Sequence, residues 1–257
     1  MANTTLANQL RLTLERFATT AKSAGNNPPI ILNCWRKALF GSEDKDPHFF
    51  DALSLINEAV ERLYGQVEGS SSLEEYSRKV GLSTLEGVRA LLSPELFQRN
   101  VQEFKQNYAD DRINLLGMLS SALKFERIEA EIPADELESL AKEIDGVVTG
   151  LSNAEIDAGL KASLKLHASF LAWAIRNAAI VGAQGIYEAM MKVLVTAREI
   201  PQEEIKKKGQ WGEQLGKIYD RVTALIKFAD SADANAHRIV QLAHDGQHLL
   251  QNLNLLK

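Results

Sequence analysis

Toward the C-terminus, apolar residues recur at alternating steps of three and four positions. One run consists of Leu215, Ile218, Val222, Leu225 and Ala229. A second run consists of Ile239, Leu242, Gly246, Leu249, Leu253 and Leu256. This spacing places the side chains on one narrow stripe, which is typical of a helix that packs along another helix. The pattern predicts a contact surface and carries no catalytic chemistry.

The residues between the two runs are consistent with two arrangements. Asp230, Ser231 and Asp233 are typical of a turn, which would fold residues 211–256 into an antiparallel hairpin. Alternatively, Ala232 and Ala236 continue the stripe without any Gly or Pro, which would give one long helix. The clustering of Asp, Ser and Asn favours the hairpin.

Helical spacing also dominates the rest of the chain. Apolar stripes begin near Leu6, Cys34, Leu53, Phe97, Ile113, Leu137, Leu160 and Ile186. Three Ser-x-x-Glu pairs match the capping box of a helix start, and these are Ser72–Glu75, Ser83–Glu86 and Ser152–Glu155. Asp46–Pro47 predicts a further helix start, and Gly182–Gly185 predicts a break between two apolar helices. Because signals for β-hairpins are scarce, the predicted fold class is all-α, a multi-helix bundle with a C-terminal heptad-patterned hairpin or long helix.

A charged stretch marks the predicted domain boundary. It begins at Glu199, contains Pro201 and Lys206–Lys208, and ends at Gly209. We therefore expect a helical bundle domain over residues 1–200. Residues 201–257 would form a charged linker followed by coiled-coil-like helices.

Composition narrows the functional classes. With 257 residues, 45% hydrophobic residues and a net charge of −5, the chain has the composition of a soluble globular protein. The acidic balance argues against general nucleic-acid binding, which needs a surplus of Lys and Arg. The single cysteine fits a reducing compartment, and the N-terminal residues lack the pattern of a secretory signal, so a cytoplasmic location is expected.

The histidines supply the candidate metal ligands. His237, His244 and His248 share one helical face, and the last two have the spacing by which two imidazoles reach one metal ion. The glutamate that a metalloprotease helix carries between them is absent. A polar solvated face is the preferred interpretation, so no metal and no cofactor is expected. Cys34 and Trp173 are expected to be buried, and His167 to be a hydrogen-bonded core residue.

The stripe therefore predicts a non-enzymatic cytoplasmic interaction protein, an adaptor, regulator or inhibitor that acts through helix–helix contacts. Its partner would be another protein or a second copy of the chain. The candidate partner-binding residues are Leu215, Ile218, Val222, Leu225, Ile239, Leu242, Leu249 and Leu253. An alternative is a membrane-associated effector that uses its C-terminal amphipathic helices, since Lys206–Lys208 precede Trp211. A third hypothesis is a metal-dependent enzyme that uses the histidine face.

Overall fold

The structure is a computed structural model, and it describes residues 3–23, 28–123, 129–130, 133–152, 154, 156–200 and 210–230. Within these ranges nearly all regular structure is helical, which confirms the predicted all-α multi-helix bundle. Grouped by their contacts in space, the residues form two compact units. The first is Thr4–Ile128, and the second is Glu129–Lys257 together with Met1–Asn3.

The helices are distributed over both units. The first unit holds α1 (Leu6–Lys22), α2 (Ile31–Phe40), α3 (Phe49–Gly69), α4 (Glu75–Leu92) and α5 (Asp110–Leu123), with 3₁₀ helices at Pro94–Leu96 and Val101–Asn107. The second unit holds α6 (Ala134–Leu151), α7 (Ala158–Arg176), α8 (Ala178–Arg198) and α9 (Gln210–Asp230). The strand segments in the described ranges are two residues long, β1 (Asn3–Thr4) and β2 (Glu129–Ala130).

The core of the first unit is aromatic at its centre. Helix α1 packs against α2, α3 and α5, and α4 packs against α3 and α5. Trp35 of α2 is fully buried, and its indole N–H donates a hydrogen bond of 2.7 Å to the carbonyl oxygen of Leu91. The Phe17 ring lies 4.5 Å from the Trp35 ring and 5.5 Å from the Tyr108 ring, measured between centroids. The buried indole therefore keeps its polar atom satisfied within an apolar cluster.

The second unit is a ring of four helices. Helix α6 packs against α7, α7 packs against α8, and α9 contacts both α6 and α8. Each helix turns an apolar stripe inward, with Ile144 of α6, Leu171 of α7 and Val193 of α8 almost inaccessible to solvent. Helices α7 and α8 run antiparallel, because His167 contacts Thr196 while Phe170, further along α7, contacts Lys192, which comes earlier in α8. Helix α9 closes the ring.

The predicted capping boxes are wrong. The Ser72 hydroxyl group lies 3.1 Å from that of Ser70, Ser83 lies inside α4, and Ser152 is at the C-terminal end of α6. The cap of α7 is Asp157, whose Oδ1 accepts two backbone N–H groups of the first turn at 2.9 and 3.0 Å. A short polar motif therefore starts a helix only where an apolar stripe also begins.

One predicted helix boundary differs from the structure, and one predicted break is confirmed. Helix α3 begins at Phe49, because the Asp46 carboxylate accepts the backbone N–H of His48 at 2.8 Å and holds a turn there. The break predicted at Gly182–Gly185 is confirmed, since the backbone leaves the helical conformation at Gly182 inside α8. The contacts of His167 with Thr196 and of Phe170 with Lys192 are centred on this glycine, so the chain reverses there. Gly182 has φ = 66° and ψ = −177°, a conformation that a residue with a Cβ atom rarely adopts.

The structure groups α9 with helices that precede the predicted boundary at residue 200. Contacts with α6 and α8 place α9 in the second unit, which begins near residue 129. Residues 201–209 and 231–257 lie outside the described ranges. The hairpin or long helix predicted beyond Asp230 therefore stays a prediction.

Candidate functional site

The first half of the predicted contact stripe lies in α9. Leu215, Ile218 and Val222 are 2%, 1% and 1% exposed, and α9 packs against α6 and α8. Tyr219 is buried beside them, and burial raises the pKa of its hydroxyl group. We call these four side chains the α9 seam. The spacing indicated a helix–helix contact, and the helices that the seam meets belong to the same chain, so a partner cannot reach it while α9 is in place.

A polar clamp flanks the α9 seam. Arg221 donates a hydrogen bond of 2.8 Å to Glu136, pairs with Glu143, and has both terminal nitrogens 3.4 Å from the Ser139 hydroxyl oxygen. Residues 136, 139 and 143 share one face of α6 because they are three and four positions apart. The hydrogen bond to Glu136 raises the pKa of Arg221, so its guanidinium group stays charged.

The strength of the Arg221 clamp follows from its exposure. The side chains of Arg221, Glu136 and Glu143 are 30%, 48% and 45% exposed. Ion pairs screened by water to this extent contribute about 0–1 kcal/mol each. The apolar seam therefore supplies most of the stability of α9 docking, and the clamp fixes the position of α9 along α6.

The other predicted contact residues and the candidate metal ligands fall outside the described part of the chain. These are the Leu225 side chain, Ile239, Leu242, Leu249, Leu253, His237, His244 and His248. Among the described residues, no group of three or more His, Cys, Asp or Glu side chains could hold a metal ion. The roles assigned to the listed residues stay predictions.

His167 is hydrogen-bonded, as predicted, and half-buried. Its Nδ1 atom lies 2.6 Å from the hydroxyl oxygen of Thr196, and that hydroxyl group donates to the Lys192 carbonyl at 3.0 Å. The contact joins α7 to α8 and positions the imidazole ring.

Cys34 is fully buried in α2, which confirms the predicted packing role. Burial, with a smaller effect from Glu43, raises the pKa of its thiol group to about 12. The thiolate is the nucleophilic form of cysteine, so this side chain stays protonated and unreactive at neutral pH.

The prediction that Trp173 belongs to the core is wrong. Trp173 is only partly buried, and its ring stacks on Phe170 at 5.5 Å with an interplanar angle of 9°. Phe170 is fully buried, with the ammonium group of Lys192 5.0 Å from its ring centroid. An apolar run indicates burial of a helix face but does not say which aromatic ring is fully covered.

The first unit exposes an aromatic residue that was not predicted from the sequence. Phe50 is 68% exposed, at a shallow groove that Leu53, Leu92 and Phe97 also line. Its ring meets the buried Phe49 ring edge-on at 5.3 Å. No local pattern in the sequence distinguishes Phe50, because neighbours on a helix, such as Ile218 and Tyr219 of the α9 seam, can both be buried.

Helix α8 bears on the membrane alternative. Among the described residues, α8 is the helix whose length and composition would allow it to cross a membrane. Of its most apolar 18-residue segment, 61% is buried inside the protein. A core helix of a soluble bundle has the same properties.

Comparisons with protein families, with curated proteins and with solved structures find no match to this chain. Among the described residues, the α9 seam and the Arg221 clamp are the features that bear most on function.

Proposed function

We propose that this chain is a non-enzymatic helical interaction protein, an adaptor, regulator or inhibitor, that binds a protein partner or a second copy of itself through helix–helix contacts. One observation supports the proposal. The spacing of Leu215, Ile218 and Val222 predicts that they pack against another helix, and they are buried where α9 packs against α6 and α8. The same spacing recurs further along the chain, so we place the partner contact on Ile239, Leu242, Leu249 and Leu253.

The size of this stripe sets the expected strength of the contact. Full burial of one Leu or Ile side chain contributes about 1.5–3 kcal/mol, so four contribute roughly 6–12 kcal/mol. Association itself costs roughly 4–15 kcal/mol in lost freedom of motion. The stripe alone therefore supports a weak, reversible contact, which suits a regulator better than a permanent complex.

Adding charge to the stripe tests the proposal. In one variant Leu249→Asp and Leu253→Asp place carboxylates on the stripe, and in the matched control Gln251→Asp and Asn254→Asp place the same charge off it. Because burying an unpaired carboxylate is unfavourable, the stripe variant should lose self-association or partner capture. Light scattering and pull-down from the native host would measure both, with circular dichroism as the check on folding. Association that is equal in the wild type, the control and the stripe variant would refute the proposal.

A liposome assay separates the membrane alternative from the proposed function. That alternative depends on Lys206–Lys208 and Trp211, which are typical of an interfacial segment. We expect the purified chain to stay in the supernatant when anionic vesicles are sedimented. Sedimentation of the wild type with these vesicles, at physiological salt, would favour the membrane effector.

A further inference from the structure

We propose that α6 and α8 form a helix-binding groove, that α9 occupies it as an exchangeable ligand within the chain, and that a partner's helix of the same chemistry takes its place. This inference rests on the proposed function, because it assigns one contact of the interaction protein to a defined groove. The partner's helix is amphipathic and reproduces the α9 seam of Leu215, Ile218, Tyr219 and Val222. It also carries a basic residue at the position of Arg221.

The chain connections make α9 the separable helix of the second unit. Residues 177–182 join the antiparallel parts of α7 and α8, and residues 152–157 join α6 to α7. Residues 199–209 lie between α8 and α9, which is the longest of these three connections. Since an extended chain spans about 3.3–3.6 Å per residue, α9 can leave the groove while α6, α7 and α8 keep their packing.

The composition of α9 also favours exchange. Gly212 and Gly216 lie within the helix, and Gly is the least favourable residue in a helix interior after Pro. Part of the free energy of docking is therefore spent on forming the helix itself. A partner's helix without these glycines would bind the same groove with a smaller free-energy cost of helix formation.

Charge complementarity defines the partner's chemistry. The groove presents Glu136 and Glu143 to Arg221, whereas Asp220, about 100° around α9 from Arg221, is exposed to solvent. A basic residue in the clamp is therefore recognised, while charges on the outer face are not. Such half-exposed pairs select orientation and position along the groove more than they add affinity.

Since α9 and an external helix compete for the same groove, the affinity for the external helix depends on how tightly α9 is docked. A tethered helix acts at a high effective concentration, so an external helix binds only to the fraction of molecules in which α9 has left. Weakening α9 in the full chain must therefore strengthen the binding of an external helix. Binding at a site that α9 does not cover would show no such effect.

Fluorescence anisotropy of a labelled peptide tests this dependence. The probe is a synthetic peptide of residues 210–230, titrated with the full-length chain. Arg221→Glu in the full chain should raise its affinity for the wild-type peptide at least about tenfold, since it weakens the competing α9. Asp220→Arg in the full chain, a charge reversal of the same size on the exposed face, should leave the affinity within about twofold.

Charge reversal provides the test of specificity. A full chain with Glu136→Arg and Glu143→Arg should prefer the Arg221→Glu peptide to the wild-type peptide, reversing the order seen with wild-type chain. Circular dichroism of each variant shows that the bundle is folded, and the reversed preference shows that the groove is intact.

Three results would overturn the inference. These are equal peptide affinity in the wild-type and Arg221→Glu chains, no reversal of preference in the charge-reversed chain, or a dimer of the full chain that the peptide dissociates, which would assign the groove to a second copy. The peptide assay does not involve residues 231–257. Its failure would therefore leave the proposed contact at Leu249 and Leu253 standing, and loss of that contact would leave the groove standing.

Discussion

Replacing Ile218 by Ala tests the α9 seam with a small change. Ile218 is 1% exposed, so the substitution removes three buried carbon atoms. At about 0.8 kcal/mol for each buried CH₂ group, the transfer contribution is about 2.4 kcal/mol. The cavity left behind raises the expected loss into the range of about 2–5 kcal/mol. The loss of stability cannot exceed the free energy of α9 docking, because once α9 has left the groove a weaker contact has no further effect.

Urea denaturation followed by circular dichroism measures this loss. Lys217→Ala is the matched control, since Lys217 is exposed on the opposite side of the same helix. The control should change the free energy of unfolding by no more than about 0.5 kcal/mol. If Ile218→Ala destabilised the protein by less than about 1 kcal/mol, the reasoning that α9 is packed by a buried seam would be refuted.

Further predictions concern Trp35, Cys34 and Trp173. Trp35→Phe should destabilise the protein by about 1–3 kcal/mol in thermal or urea unfolding, because the Leu91 carbonyl loses its buried donor. Iodoacetamide at pH 8 should leave Cys34 unmodified in the folded protein and alkylate it in urea, as read by mass spectrometry. Because the pKa of that thiol is raised from 9.0 to about 12, its contribution to stability is complete below pH 9 and is lost as the pH rises toward 12. Trp173→Ala should cost less than the roughly 3–5 kcal/mol of a fully buried Trp in urea denaturation, since the ring is only partly covered.

Apolar spacing predicted the helical class and the buried faces because the side chains buried on one face of a helix are apolar and recur every three or four residues. The stripe from Leu6 to Ala21 became the inner face of α1, and Leu140 to Val147 became that of α6. Leu215, Ile218 and Val222 were identified in the same way as a helix-packing face. Spacing cannot say which helices such a face meets, and α6 and α8 became known only from the structure.

The sequence did not predict contacts between residues far apart in the chain. It also did not predict which of several nearby polar residues caps a helix. Arg221 meets Glu143 and Glu136 across 78 and 85 positions, and no local pattern links them. The cap of α7 is Asp157, although Ser152 matched the capping motif better. Both outcomes depend on how helices meet in three dimensions, and the geometry that decides them forms only on folding.

Hydrogen exchange of the α9 amides in the full-length chain tests the central claim most directly. We predict that α9 opens in a cooperative step of its own, at a lower free energy than α6, α7 and α8, and that Arg221→Glu lowers the opening free energy of α9 alone. If the α9 amides instead exchange with the same opening free energy and denaturant dependence as those of α6, α7 and α8, α9 is an inseparable part of the bundle. That result would contradict an exchangeable helix contact.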